Sequence, residues 1–431
     1  MSTAALSHEP AVRFDFVARA GLFVGTLLLF WITLEPLKDL SDGSLLEPTQ
    51  SSDLVNQLLF LTLFLLLGWK LATMGWRLVL PLAHPAYGAV LGWFLVGCLF
   101  AVTPDISLRR LVFCVIVMSI VGVLLILPPT QRSFEGWLGG VALSVVSLCY
   151  LAVILFPHLA VHQADAALET NLAGDWRGVY AHKSVTGAMM VVFLLIGAYL
   201  TSRRHLLLGP TLLVLAGVFL AFTGAKQPTA LVAIVFAWSW LVGRTRSTAW
   251  LFVLSLIALA LYLTFTVGSV VFPWVASFNA SVLSDPTFTK RLAIWEFALH
   301  NFLERPIFGY GFFGFWNTEF VRYTVVPQAD SWAATASHSH NTYLDIALTT
   351  GLPGLLLTLW SLILLPISDF ARARRLPENR ALALLFFRIW LFVTLFGALE
   401  TPFFRRDDPI WVAFLLAIFG LRFLACYRVR P

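Results

Sequence analysis

Long apolar runs separated by short polar connections make up most of the chain. They fall near 17–34, 54–72, 86–102, 108–127, 136–156, 183–201, 205–222, 227–243, 249–272, 341–366, 381–400 and 408–426. Each is close to the roughly 20 residues that an α-helix needs to cross the hydrocarbon of a bilayer. None alternates apolar and polar positions as a barrel strand does, and an open strand cannot satisfy its backbone in lipid. The pattern predicts an all-α, polytopic membrane protein of about 12 transmembrane helices. Only Thr223-Gly-Ala-Lys-Gln-Pro228 separates the seventh window from the eighth, so a tight hairpin is expected there.

The interval from Pro273 to His340 breaks the rhythm, being longer than an ordinary connection. It divides the chain into residues 1–272 with helices 1–9, the loop 273–340, and residues 341–431 with helices 10–12. Asp285-Pro286 reads as a helix start. The segment Thr289 to Glu304 then sets Leu292, Trp295, Leu299 and Phe302 at helical spacing, with Arg291, Glu296 and Glu304 elsewhere on its surface. Such an amphipathic helix suits the membrane surface or the end of the bundle. The run Pro306-Ile-Phe-Gly-Tyr-Gly-Phe-Phe-Gly314 then breaks it. The loop is too small to build much core of its own and is expected to fold back onto the helices.

Composition agrees. The chain is 59% hydrophobic and 12% charged, against about 25% charged in soluble domains. A net charge of +6 would suggest nucleic acid in a soluble protein; here basic cytoplasmic loops account for it, and no nucleic-acid partner is expected. One set of connections carries Arg13, Arg19, Lys70, Arg77, Arg132, Arg203, Arg204, Arg244 and Arg246, then Arg372, Arg374, Arg375, Arg380, Arg422, Arg428 and Arg430. The positive-inside bias puts these and both termini in the cytoplasm, and the loops 35–53, 157–182 and 273–340 on the other side. The first apolar run lacks a small-x-small cleavage site and reads as a retained helix. Cys98, Cys114, Cys149 and Cys426 lie in apolar windows and form no disulfide framework or Cys-x-x-Cys pair.

The chemistry concentrates at Ser337-His338-Ser339-His340-Asn341, where the longest polar stretch meets an apolar window. Histidine is suited to general-base work near neutral pH. Basic residues also stand on the side that the orientation bias disfavours: Arg109, Arg110, Lys226, Arg291, Arg405 and Arg406. Local pairing, Asp105 with Arg109 and Asp407 or Asp408 with Arg406, is one explanation. A pocket for a phosphate-bearing lipid head group is the other, since guanidinium matches phosphate oxygens. A metal would need His338 and His340 with Asp330 or Asp345, but their i, i+2 spacing is not a usual helical ligand spacing and no Asp-x-Asp stands nearby. No metal or other cofactor is therefore expected. No Gly-x-Ser-x-Gly or exposed cysteine offers a nucleophile.

His340-Asn341, nine residues, then Gly351-x-x-Gly354 is similar to the His-[Asn/Ser/Gln]-x9-Gly-x-x-Gly pattern of bacterial O-antigen ligases, members of a family of polytopic ligases and polymerases. Arg291-Leu-Ala-Ile-Trp295 and Pro306-Ile-Phe-Gly-Tyr-Gly311 also resemble that family's loop, although Trp295 stands where the family has Leu and Lys226 where relatives carry Ser-Arg-like residues. The resemblance implies a GT-C-like fold in the bacterial inner membrane, with a partly helical periplasmic loop between helices 9 and 10. It implies transfer of a polysaccharide from an undecaprenyl-diphosphate carrier to a sugar hydroxyl of lipid A–core, metal-independent and inverting. His338 or His340 would be the base; Arg291, Arg109, Arg110 and Lys226, ahead of Arg405 and Arg406, would bind the diphosphate, and Asn341 would join the substrate site. Alternatives are an O-antigen polymerase, a protein oligosaccharyltransferase, or a twelve-helix transporter or flippase of lipid-linked sugars. The transporter reading lacks a link between two six-helix halves, since only Thr201 to Arg204 joins windows six and seven.

Overall fold

Polar caps and first-turn prolines set where many of the helices begin: Pro85, Pro104, Pro273, Pro377 and Pro409 open helices, and Thr130, His182, Ser247, Asn341 and Asp408 cap them with side-chain acceptors. The computed structural model describes residues 8–33, 35–39, 54–164, 172–245, 247–283, 285–288, 291–321 and 336–429. Arg246, Thr289, Asp330 and Arg430 of the sequence reading lie outside them, as does most of the loop 35–53.

The helices used below are α1 His8–Ile32, α2 Leu54–Met74, α3 Pro85–Leu99, α4 Pro104–Leu124, α5 Gln131–Leu155, α6 Lys183–Ser202, α7 Leu208–Phe222 and α8 Lys226–Arg244. They continue with α9 Thr248–Phe265, α10 Pro273–Val282, α11 Arg291–Glu304, α12 Thr342–Ala373, α13 Pro377–Phe396 and α14 Pro409–Cys426. Among the described residues there are no strands, only an isolated bridge between Val161 and Trp176.

Every apolar window overlaps one of these helices, and the protein is a multi-pass membrane protein. Length and composition alone do not establish the expected 12 or so crossings. Eight described helices are long and apolar enough to cross, or nine if α3 and the short helix before it, Trp76–Leu82, form one span bent by 76°. Helices α7 and α9 are shorter, and α8 opens on Lys-Gln-Pro and closes on Arg244.

At one end of the bundle, carboxylates gather the cytoplasm-assigned basic residues. Asp15 pairs with Arg19 at 2.6 Å and with Lys70. Glu135 accepts from Arg203 Nε at 2.9 Å and meets His205 at 2.9 Å. Asp369 takes Arg422 at 3.1 Å and also Arg372. These contacts join α1 to α2, the end of α6 to α5, and α14 to α12.

At the opposite end the loop between α10 and α12 folds back on the bundle. Here α11 differs from its expected form. Asp285 closes a local turn by accepting from Thr287 N at 3.0 Å, and the described part of the helix runs from Arg291. Its buried face is Ile294, Trp295, Ala298 and Asn301 rather than the Leu292, Trp295, Leu299, Phe302 stripe. It packs with Tyr310, Phe315, Trp316, Leu344 and Leu348, so it caps the bundle instead of lying on lipid.

The glycine-rich segment after α11 docks where α12 is broken. Gly351 has φ 74 and ψ 177 inside α12, a left-handed φ that a side chain disfavours. Across this break Tyr310 N donates to Leu348 O (3.1 Å), Gly311 N to Thr349 O (2.9 Å) and Leu352 N to Pro306 O (2.8 Å). A Cβ on Gly351 would sit 1.9 Å from Ile307 O. Gly351→Ala is therefore expected to destabilise the protein by about 2–4 kcal/mol through backbone strain and overpacking. The check is a lowered melting temperature in detergent, with Leu352→Ala, at an exposed neighbouring site, close to wild type.

Candidate active site

Asn341 organises the site from behind. Its side-chain oxygen caps α12 by accepting from Tyr343 N at 3.1 Å and Leu344 N at 3.0 Å, and its Nδ2 donates to Ala398 O at 2.8 Å. The side chain is buried, with both polar atoms in use. Asn341 thus positions the loop between α13 and α14 against the start of α12, and it does not line the cavity described below. Ser339 is held from two sides. Trp295 Nε1 donates to its carbonyl (2.9 Å), its N–H donates to Asp345 Oδ1 (3.0 Å), and Trp316 Nε1 reaches that same oxygen (2.6 Å).

Between these anchors His340 adopts φ 51, a left-handed conformation that costs a residue with a side chain of order 1–3 kcal/mol. The conformation turns the imidazole toward Glu400. His340 Nδ1 lies 3.2 Å from Glu400 Oε2, and Arg291 Nη2 lies 2.8 Å from Glu400 Oε1. Burial alone would raise the Glu400 carboxyl, but Arg291 and the His340 contact hold it well below the usual carboxylate range. Glu400 is thus ionised and can only accept, so His340 Nδ1 donates to it and Nε2 is the ring nitrogen left to take up a proton.

His338 has the opposite tautomer. Its Nδ1 accepts from the His340 backbone N–H at 3.1 Å. Burial, then the neighbouring His340 and Arg405, push its pKa well below the ordinary histidine value. The neutral ring therefore presents Nε2–H, a donor. The rings lie 4.1 Å apart, so sequence neighbours with equal claims to the base have different chemistry.

Both rings line a cavity of about 310 Å³. Glu400, Thr401, Pro402, Arg405 and Phe396 contribute from the α13–α14 connection, and His182, Ser184, Asp408 and Ile410 from the starts of α6 and α14. Of the cations expected at the site, Arg291 enters through Glu400 and Arg405 lines the wall directly. Arg109, Arg110, Arg406 and Lys226 do not line this cavity. Arg110 Nη1 donates to Phe313 O, Arg406 stacks over Phe113 at 5.4 Å, and Lys226 opens α8. Among the described residues the expected ion pairs of Asp105 with Arg109, and of Asp407 or Asp408 with Arg406, do not form. Arg388, inside α13, bonds Ser239 Oγ at 3.0 Å.

His338, His340 and Glu400 bring one donor atom each within 4.8 Å of one another, a geometry that could hold a cation. The surroundings fit one poorly. Both Glu400 oxygens already have partners, one a guanidinium, and Arg405 stands in the same wall. Asp345, once a possible further ligand, holds Ser339 and Trp316 through Oδ1 and does not line the cavity, and Asp330 lies outside the described residues.

Glu400 is the residue that sequence reasoning missed. It closes an apolar window and was absorbed into it; the available signal was an acid directly ahead of Thr-Pro at the end of a predicted span.

Two comparisons bear on this geometry. Residues 210–359 match the family model described as O-antigen ligase, a segment that includes Arg291, both histidines and both glycines of the Gly-x-x-Gly turn. Over 104 residues the chain is 30% identical to a Rickettsia conorii protein provisionally named as a polysaccharide ligase. That alignment covers 21% of this chain and 24% of the relative, so the chain spans about a quarter of the length of the curated relative it matches.

Proposed function

We propose that this chain is a membrane glycosyltransferase of the O-antigen ligase type, which moves a polysaccharide from an undecaprenyl-diphosphate carrier to a sugar hydroxyl of lipid A–core. The observation that carries the reading is His340, backed by Glu400 and Arg291, in a cavity at the end of a membrane bundle within the family-matched segment. The acceptor hydroxyl gives its proton to His340 Nε2 as its oxygen bonds to the anomeric carbon. The bond from that carbon to the phosphate oxygen breaks, and the diphosphate leaves with the electron pair. Arg405 stabilises the charge that develops on it. With His340 as the base and both Glu400 oxygens engaged, the reading needs no glycosyl-enzyme intermediate: displacement is single and inverts the anomeric centre. The reading also places the chain in the inner membrane with the cavity facing the periplasm, in keeping with the gathering of basic residues at the opposite end.

Purified protein in detergent with EDTA, given a labelled glycan on undecaprenyl diphosphate and lipid A–core, tests this. Labelled lipid A–core is the expected product. Longer glycans left on the carrier would make the protein a polymerase, and no covalent product would overturn the transferase reading.

On this reading Arg405 ranks first among the cations. Arg405→Ala is expected to raise the donor KM about 10- to 100-fold, the value of a charge-assisted hydrogen bond to phosphate. Arg110→Ala, outside the cavity lining, should change it less. A larger effect at Arg110 than at Arg405 would restore the order read from the sequence.

A further inference from the structure

The cavity has a wall that proton transfer does not use, built from the first turns of α6 and α14. Ser184 belongs to α6 and Asp408 precedes α14; His182, Val185 and Ile410 fill in around them. Asp408 Oδ1 caps α14 by accepting from Ile410 N at 2.7 Å. A cap explains the choice of a short polar residue there. It does not explain an acid with no ion pair in the wall of a cavity that receives a diphosphate. Ser184 N donates to His182 Nδ1 at 3.1 Å, while the Ser184 hydroxyl lines the cavity and bonds to no described residue.

The chemistry of this wall is unlike that of Arg405. A carboxylate repels phosphate but accepts from hydroxyls, and a serine hydroxyl both gives and accepts. Between them Val185, Ile410 and Phe396 present apolar surface to the C–H face of a ring. Sites of this size, near the low end of roughly 300–1,000 Å³, hold the reacting sugars and not the polymer attached to them.

We infer that Ser184 and Asp408 form the subsite for the hydroxyls of the acceptor sugar, next to Arg405, which takes the donor diphosphate. The donor sugar is bonded to the diphosphate and must follow the cations. The acceptor ring carries no such charge at its reacting end and is the one a carboxylate can hold. The inference rests on the transferase reading above. Burial raises the Asp408 carboxyl to about 7 against the pull of Arg405 and the α14 amides, with Asp407 adding to the rise. Acceptor binding should therefore strengthen as pH rises through that value and Asp408 ionises. Arg405, Asp407, His182, His338, His340 and Glu400 are the other titratable or charged groups around it.

Asp408→Asn tests this cleanly, because asparagine caps a helix as well as aspartate does. Ser184→Ala is the companion. Each is expected to raise the acceptor KM about tenfold, the equivalent of one hydrogen bond to a charged or hydroxyl partner, with the donor KM within about twofold of wild type. Asp408→Asn should also remove the improvement in acceptor KM between pH 6 and 8. An unchanged acceptor KM in both variants, or a rise confined to the donor KM, would overturn the subsite. If wild type itself makes no product in the same assay, the transferase reading has failed instead, so the two failures are distinguishable.

Discussion

His340→Ala lowers turnover by about 10²- to 10⁴-fold, the usual worth of a positioned general base, while His338→Ala retains the larger share of activity. The difference follows from which ring nitrogen is already occupied. His340 spends Nδ1 on Glu400 and leaves Nε2 to take a proton. His338 spends Nδ1 as the acceptor of a backbone N–H, and its remaining nitrogen carries a hydrogen. Single-turnover rates for the two variants, with wild type alongside, measure this directly. A His338→Ala enzyme as slow as His340→Ala, with normal substrate KM values, would assign the base to the wrong ring here. Loss through a higher KM in His338→Ala would fit its donor role.

Glu400→Gln is the second large effect. The amide can still accept a hydrogen bond, yet it no longer neutralises Arg291 or favours the imidazolium that forms as His340 takes the proton. Replacing the acid behind a catalytic histidine by its amide costs up to about 10⁴-fold in a serine protease, and about 10²- to 10⁴-fold in kcat is expected here. The substitution also leaves the Arg291 charge without its partner, at about 3 kcal/mol, since Glu400 is only 13% exposed. The pH dependence has a definite sign. A carboxyl held below its unfolded pKa, about 4.3 for glutamate, contributes stability that is complete above that value and is lost as pH falls toward the folded one. The gap in melting temperature between wild type and Glu400→Gln should therefore be constant from pH 5 to 8 and narrow in stronger acid. A gap absent at neutral pH would mean that the Arg291–Glu400–His340 chain contributes nothing to the fold.

Much of the architecture was readable in one dimension. Apolar windows located the helices because an α-helix satisfies its own backbone, so a run of the right length and polarity has one stable form in lipid. The number of crossings was harder: α7, α8 and α9 are helical, but only tertiary packing separates a short apolar helix from a span. The buried face of α11 was misjudged for a related reason. Periodicity shows that a helix has a stripe, but Ile294 and Ala298 are buried because α12 and the aromatic loop are there to meet them.

The site divides along the same line. His340, Asn341, Gly351 and Gly354 are close in sequence, and their spacing was visible as a motif because local backbone geometry depends on neighbours. By itself the sequence determined a multi-pass all-α membrane protein, a polar loop ending in paired histidines, and a Gly-x-x-Gly motif beyond them. Only the tertiary structure decided which histidine has a free lone pair, which arginine faces the cavity, and that Asn341 is a cap. Glu400 stands 60 residues from His340 and 109 from Arg291. Contacts over such separations leave no periodic trace along the chain: they form when α13 and α14 pack against α12, and a proton's position on an imidazole depends on the atom that packing brings to it.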